Sequence, residues 1–282
     1  MTIVEGILLG LVQGVTEFLP VSSSGHLALM RAVFGSPVLK DYPLLFDVAV
    51  HAATILAVII YFRREVLGVL GGFLVICLSF SKKYRPRPGS QAAADRLLFV
   101  YVIIASVPTA IISVLLKDYV EKQLQNPVPV GLMLLITGII LYLTHRHRDP
   151  GREIKQMNPI DAALIGIIQG IAVIPGISRS GSTIGCGIMM GLDRKLAARF
   201  SFLIAVPAVL GACILKLPEL FNKSAAGLVT PTLIGAAVAF VTGFVALVLL
   251  MQVLERRRLA YFAPYCWFVG LVAIIIGLVR GG

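Results

Sequence analysis

The sequence predicts an all-α polytopic membrane protein made of two inverted-topology repeats, each a re-entrant helical hairpin followed by three transmembrane helices. Three observations lead there. Of the 282 residues, 58% are hydrophobic and only 14% charged, which leaves too little polar surface to cover a soluble domain. Apolar runs of about 17–22 residues recur, the length that crosses roughly 30 Å of hydrocarbon at about 1.5 Å per residue. The chain also repeats itself: Gly10, Gln13, Gly14, Ser22, Ser24 and Gly25 return as Gly166, Gln169, Gly170, Ser178, Ser180 and Gly181, each 156 residues on.

The first hairpin spans about 6–34, where "GLVQGVTEFLPVSSSGH" breaks an apolar segment with Pro20, three serines and Gly25. A short helix, a loop and a short helix at membrane depth are tolerated only when buried in protein or lining a wet cavity, so the segment reads as re-entrant. Because it lacks a basic n-region and carries Glu5, Gln13 and Glu17, it is not expected to act as a signal peptide. Spans are expected near 44–62, 97–115 and 129–144, completing a repeat over 1–144. The stretch 66–80 is apolar but short and glycine-rich, which places it at the cytoplasmic interface. A basic linker, "HRHRDPGREIK" (145–155), leads to the second repeat, 156–282, with a hairpin at 160–190 and spans at 200–217, 232–254 and 263–279. The offset of 156 persists beyond the hairpins, where Phe46 meets Phe202 and His51 meets Pro207. An odd number of spans per half reverses the second copy in the membrane. Gly6, Gly10 and Gly14, like Gly181 and Gly185, have the small-xxx-small spacing that lets helices approach closely.

The formal net charge of +11 does not call for a nucleic acid, because Lys and Arg in membrane proteins record orientation. With 63–95 placed inside, sixteen Lys and Arg in loops and helix ends fall on the cytoplasmic side against seven outside, which puts both termini on the periplasmic or extracellular side. The first hairpin then opens outward and the second inward. Cys77, Cys186, Cys213 and Cys266 form no C-x-x-C pair and read as small core residues rather than a disulfide or zinc framework.

The chemistry sits in the hairpins. An arginine at membrane depth is expensive unless it faces the protein interior and pairs, so Arg179 in "IPGISRSGST" marks a functional site. Its planar fork of donors suits phosphate, and Ser178, Ser180, Ser182 and Thr183 with Gly176 and Gly181 make an anion cradle at a helix start. The plainer reading is a buried Arg–Glu pair that ties the hairpins together. At the equivalent place the first copy has Ser23, with His26 three residues on and Glu17 and Gln13 before it. A serine, a histidine and a carboxylate opposite an arginine supply a nucleophile, an acid or base, an orienter or metal ligand, and a charge clamp. Alone, His26 reads as a capping or packing histidine and Ser22 to Ser24 as a helix cap.

In order and over nearly the whole chain, "VQGVTEFLPVSSSGH", "FDVAVHAAT", "PGISRSGST" and "FSFLIAVP" resemble the bacterial undecaprenyl-diphosphatase family associated with bacitracin resistance. The resemblance implies hydrolysis of the terminal phosphate of undecaprenyl diphosphate, a polyprenyl lipid, recycling the monophosphate carrier for peptidoglycan and other cell-wall polymers. It implies a multi-pass protein of the bacterial inner membrane whose active-site mouth faces outward, with membrane lipid as a partner and a homodimer left open. Carried over by motif, Ser23, His26, Glu17 and Arg179 are the expected catalytic residues. Gln13, Ser22, Ser24, Ser178, Ser180 and Thr183 are the expected substrate-binding residues. A divalent cation, Mg2+ or Ca2+, is implied, with Glu17 as its ligand. Two positions depart from the family pattern: Gln13, where many relatives have glutamate, which removes a carboxylate from the metal end, and Ala53, where a glycine is expected. His51 is placed near the site but outside the expected chemistry. The expected mechanism has Ser23 attack the terminal phosphorus with His26 moving the proton and Arg179 neutralising the phosphoryl oxygens. A phospho-histidine and direct attack by water stay open. The rival class is a transporter or flippase of a polyprenyl phosphate lipid, since inverted repeats with broken helices also build transport sites.

Overall fold

In a computed structural model of the chain, the described residues are 1–34, 44–79, 87, 90–123, 126–146, 151–221 and 227–281. Their regular structure is helical, apart from one isolated bridge between Arg152 and Leu192. The helices are α1 (Ile3–Phe18), α2 (Ser23–Phe34), α3 (Leu44–Tyr61), α4 (Arg63–Ser79), α5 (Gln91–Gln123) and α6 (Pro127–Arg146). After the linker come α7 (Pro159–Ile171), α8 (Arg179–Met189), α9 (Arg194–Phe221), α10 (Val229–Glu255), a 3-10 turn (Leu259–Phe262) and α11 (Ala263–Gly281). Among the described residues six stretches are long and apolar enough to cross a membrane: α3, α5, α6, α9, α10, and α11 taken with the turn before it.

The helices overrun the spans read from hydropathy. α5 begins at Gln91 and ends at Gln123, because Asp95, Arg96, Lys117 and Asp118 end an apolar run without ending a helix. The stretch expected at 66–80 is α4, which lies on the first turns of α5, where the Phe73 and Phe99 rings are 5.6 Å apart. Of the residues counted for orientation, Lys40, Lys82, Lys83, Arg85, Arg148 and Lys223 lie outside the described residues.

The two broken segments start and stop for the same reasons. Thr2 caps α1 in a capping box with Glu5, and Asn158 caps α7 in a capping box with Asp161, so each satisfies orphan N–H groups at the same turn. Pro20 pushes Leu19 into extended backbone (φ −61°, ψ 144°) and ends α1. The next helix then restarts through a left-handed residue, Ser22 at φ 68° in one loop and Gly176 at φ 96° in the other. A serine in that region is strained by on the order of 1–3 kcal/mol, which persists only where the surroundings over-determine it.

Packing then crosses between the halves. α1 lies along α10, and α7 lies along α5. A Cβ on Gly6 would stand 2.5 Å from the Pro231 carbonyl oxygen, and one on Gly170 would stand 2.7 Å from Ile112 Cβ. Helices at this distance gain van der Waals contact, which holds a bundle together where lipid removes the hydrophobic drive between helices. Within this packing Phe18, Phe62 and Phe202 stack around one point, with centroids 5.7 Å apart for Phe18–Phe202 and for Phe62–Phe202. Phe18 is therefore fixed at the end of α1, which sets where its neighbour Glu17 points.

Candidate active site

Ser23 and Arg179 are the first residues of α2 and α8, and both reach the same carboxylate. Ser23 donates its hydroxyl to Glu17 Oε2 at 2.7 Å, and Arg179 Nη2 donates to Glu17 Oε1 at 2.6 Å. Gln13, one turn before Glu17, adds an amide N–H to Oε2 at 3.0 Å. The ion pair is largely shielded, with side chains 17% and 8% exposed, so its attraction is screened far less than that of a surface pair. The two loops touch: a Cβ on Gly25 would stand 3.3 Å from Gly176 Cα, and Ser180 Oγ donates to the Leu19 carbonyl at 3.4 Å. Two helix N-termini, each with free N–H groups and a positive dipole end, thus converge beside Ser23 and Arg179.

Glu17, Ser23 and Arg179 line a cavity of about 470 Å³. Ser22, Ser24 and Ser178 line it beside them. Its walls come from α3, α5 and α9 and are chiefly apolar, with Ala110, Val114, Pro207, Val209 and Leu215 among them. Val114 and Leu215 are also 68% and 74% exposed on the outside of the molecule, so the cavity opens onto an apolar surface. Polar ligand groups have a place beside the cluster, and hydrocarbon has a wall and an exit.

Four expected site residues are placed differently. Gln13 lies behind Glu17 and acts on it rather than on the cavity. Ser180 and Thr183 are turned into the protein: Ser180 bonds to Ser178 and Leu19, and Thr183 Oγ1 to the Arg179 carbonyl at 2.7 Å and to Ser201. In α8 the i and i+4 spacing of Arg179 and Thr183 spends the threonine hydroxyl on the helix backbone. His26 is on the far side of the loop. Its Nδ1–H donates to the Ser22 carbonyl at 2.8 Å, and Nε2 accepts from the Tyr265 hydroxyl at 2.7 Å, with the two rings nearly parallel. Both ring nitrogens are used and neither faces Ser23. Ser22 and Ser178 also cap the helices they precede. Ser22 Oγ accepts from Gly25 N–H at 3.3 Å and Ser178 Oγ from Gly181 N–H at 3.1 Å, the same cap in both copies.

The His26–Tyr265 bond ties α2 to α11, and His26→Ala and Tyr265→Phe are each expected to lower stability by about 1 kcal/mol. Because both remove the same bond, the double variant should lose little more than either single one, as read by thermal unfolding in detergent.

His51, expected near the site but outside its chemistry, has charged company there. His51 on α3 lines the cavity, with Asp47 one turn before it and Lys216 of α9 beside Asp47. A signal was present, since "FDVAVHAAT" carries two ionisable residues four apart inside an apolar run, which in a membrane helix points to a pair facing the interior.

The fold and the site together define a polytopic membrane protein with a shielded Ser–Glu–Arg cluster in a lipid-accessible cavity. Residues 6–272 match the family described as Bacitracin resistance protein BacA, and the chain belongs to that family. It is 43% identical over 281 residues to an undecaprenyl-diphosphatase of Desulforapulum autotrophicum, covering 99% of this chain and 100% of the relative. It is 41% identical to one of Desulfosudis oleivorans, covering 98% of each chain, and 36% identical to one of Methanosphaera stadtmanae, covering 99% of each.

Proposed function

We propose that this protein is an integral membrane phosphatase that hydrolyses undecaprenyl diphosphate to undecaprenyl phosphate and phosphate, returning the lipid carrier to cell-wall polymer synthesis and contributing to bacitracin resistance. The observation that carries this reading is the meeting of Ser23 and Arg179 on the two oxygens of Glu17, in a cavity whose lining is otherwise mostly apolar. The polyprenyl tail leaves between α5 and α9 into lipid while the diphosphate reaches the cluster.

Ser23 Oγ attacks the terminal phosphorus as the bond to the bridging oxygen breaks, and that oxygen departs with the lipid monophosphate. The Ser23 proton passes to Glu17 Oε2, to which the hydroxyl already donates. Arg179 and the N–H groups at the starts of α2 and α8 meet the charge on the transferred phosphoryl group. A transporter has no need of a hydroxyl aligned on a carboxylate. Phosphate release from a polyprenyl diphosphate by purified protein in detergent tests the reading, and release no faster than in Ser23→Ala protein would overturn it.

The divalent cation fits these residues poorly. Both Glu17 oxygens already accept, from Arg179, Ser23 and Gln13, and a set of donors aimed at one carboxylate suits an anion better than a cation. Among the described residues no three His, Cys, Asp or Glu side chains are grouped to hold a metal. No step is therefore routed through Mg2+ or Ca2+, and phosphate release with and without EDTA measures their part.

The inverted-repeat reading is supported by the two capping boxes at one offset, the matched serine caps, and the crossed packing of α1 on α10 and α7 on α5. On this reading the protein lies in the bacterial inner membrane, and the excess of Lys and Arg on one side puts both termini and the cavity mouth outside. Cysteine placed at Lys117 should then label with an impermeant thiol reagent in intact cells, and cysteine at Lys155 only after lysis, in a background without the native four cysteines. The reverse pattern would move the chemistry to the cytoplasmic face.

A further inference from the structure

We infer that His51, held by Asp47, is the group that takes the proton from the hydrolytic water. The inference rests on the phosphatase reading above and adds a residue to it. His51 Nδ1 lies 2.8 Å from the Asp47 carbonyl oxygen and 3.4 Å from its carboxylate Oδ1. Both are acceptors, so Nδ1 carries the proton, and in the neutral ring the lone pair sits on Nε2. Asp47 is held in turn, because Lys216 Nζ binds its other oxygen, Oδ2, at 2.5 Å. Nε2 stands 3.4 Å from Gln13 Nε2, a long contact, and that amide donates to the same Glu17 oxygen that receives Ser23, so the ring lies beside the Ser23–Glu17 pair.

The contrast with His26 decides the assignment. Short bonds to Ser22 and Tyr265 use both nitrogens of His26, and its ring is away from the cavity. His51 lines the cavity, its ring is oriented from behind, and the contact of Nε2 with the Gln13 amide, at 3.4 Å, is long enough for a water to replace. An acidic partner behind the ring and a lone pair held by nothing stronger than a long amide contact are what a general base needs. The charged groups that face it are Asp47 on its own helix and Glu17 from α1, with Lys216 behind the first and Arg179 behind the second.

The second half of the reaction then balances. Water oxygen bonds to the phosphorus held on Ser23 while one of its protons goes to His51 Nε2. The P–Oγ bond breaks, and Ser23 recovers its proton from Glu17. Phosphate leaves and His51 returns its proton to cavity water. His51 touches the reacting water, and Asp47 acts through His51 as a positioning residue.

The test is acid-quenched single turnover of the purified protein with polyprenyl diphosphate radiolabelled in its terminal phosphate. His51→Gln is expected to lower kcat on the order of a hundredfold, with KM little changed and with label trapped on Ser23. Asp47→Asn should trap label too, at a smaller loss of kcat, and it serves as the second variant if His51→Gln does not fold. A native kcat in both variants, or a low kcat without trapped label, overturns the inference. Ser23→Ala and Arg179→Lys separate the two levels. If these are inactive while His51→Gln turns over normally, only the role of His51 falls, whereas native turnover in them removes the reading of the site itself.

Discussion

Arg179→Lys is expected to yield folded protein whose phosphate release is slower by about a hundredfold or more. Arg179 binds Glu17 through one terminal nitrogen at 2.6 Å, and the remaining N–H groups of its rigid fork are free to meet an incoming phosphoryl group. Lysine keeps the charge and the pair with Glu17, but a point charge on a flexible stem cannot hold the carboxylate and two phosphoryl oxygens in one plane. Losing one such transition-state donor costs about 3–4 kcal/mol. Lysine is the informative substitution, because Arg179→Ala would leave the shielded Glu17 charge unpaired, which destabilises by about 3–5 kcal/mol and confounds folding with catalysis. Near-native turnover in the lysine variant would reduce the pair to a strut between the hairpins.

How far the sequence could be read follows from where each signal is written. Helix number and the two broken segments were legible because lipid imposes long apolar runs and punishes any interruption, so Pro20, the serines and Arg179 stand out against their surroundings. The meeting of Ser23 and Arg179 was legible because the internal repeat puts both at the first residue of equivalent helices. His26 stands away from Ser23 for a physical reason. Spacing along a helix says which residues share a face, but the left-handed turn at Ser22 rotates where α2 starts, and the ring meets Tyr265, 239 residues away in the chain. Thr183 and Ser180 were lost to backbone and loop bonds that compete for small hydroxyls, a competition that composition does not reveal. Lys216 could not have been placed from sequence at all, since its relation to Asp47 exists only once α9 packs on α3.

The largest separation between binding and chemistry is expected from Glu17→Gln. Glu17 receives three donors, the Ser23 hydroxyl, the Gln13 amide and Arg179, and none of them can turn to accept from an amide N–H without giving up its bond. The Ser23 hydroxyl can rotate and the Gln13 amide can turn its oxygen to accept, but a serine that accepts from glutamine has no base, so the first half of the reaction loses its proton acceptor. A positioned base contributes on the order of a hundred- to ten-thousandfold, and kcat should fall within that range. Affinity should move the other way. Glu17 is a negative charge sitting on the arginine that the diphosphate must reach, so removing it lowers the repulsion felt by the terminal phosphate and frees Arg179 for it. Equilibrium binding of a non-hydrolysable diphosphate lipid analogue to Glu17→Gln should therefore be unchanged or tighter while turnover is nearly abolished. Weaker binding together with the lost turnover would mean that Glu17 serves to hold the two hairpins in register, and that the proton of Ser23 leaves by another route.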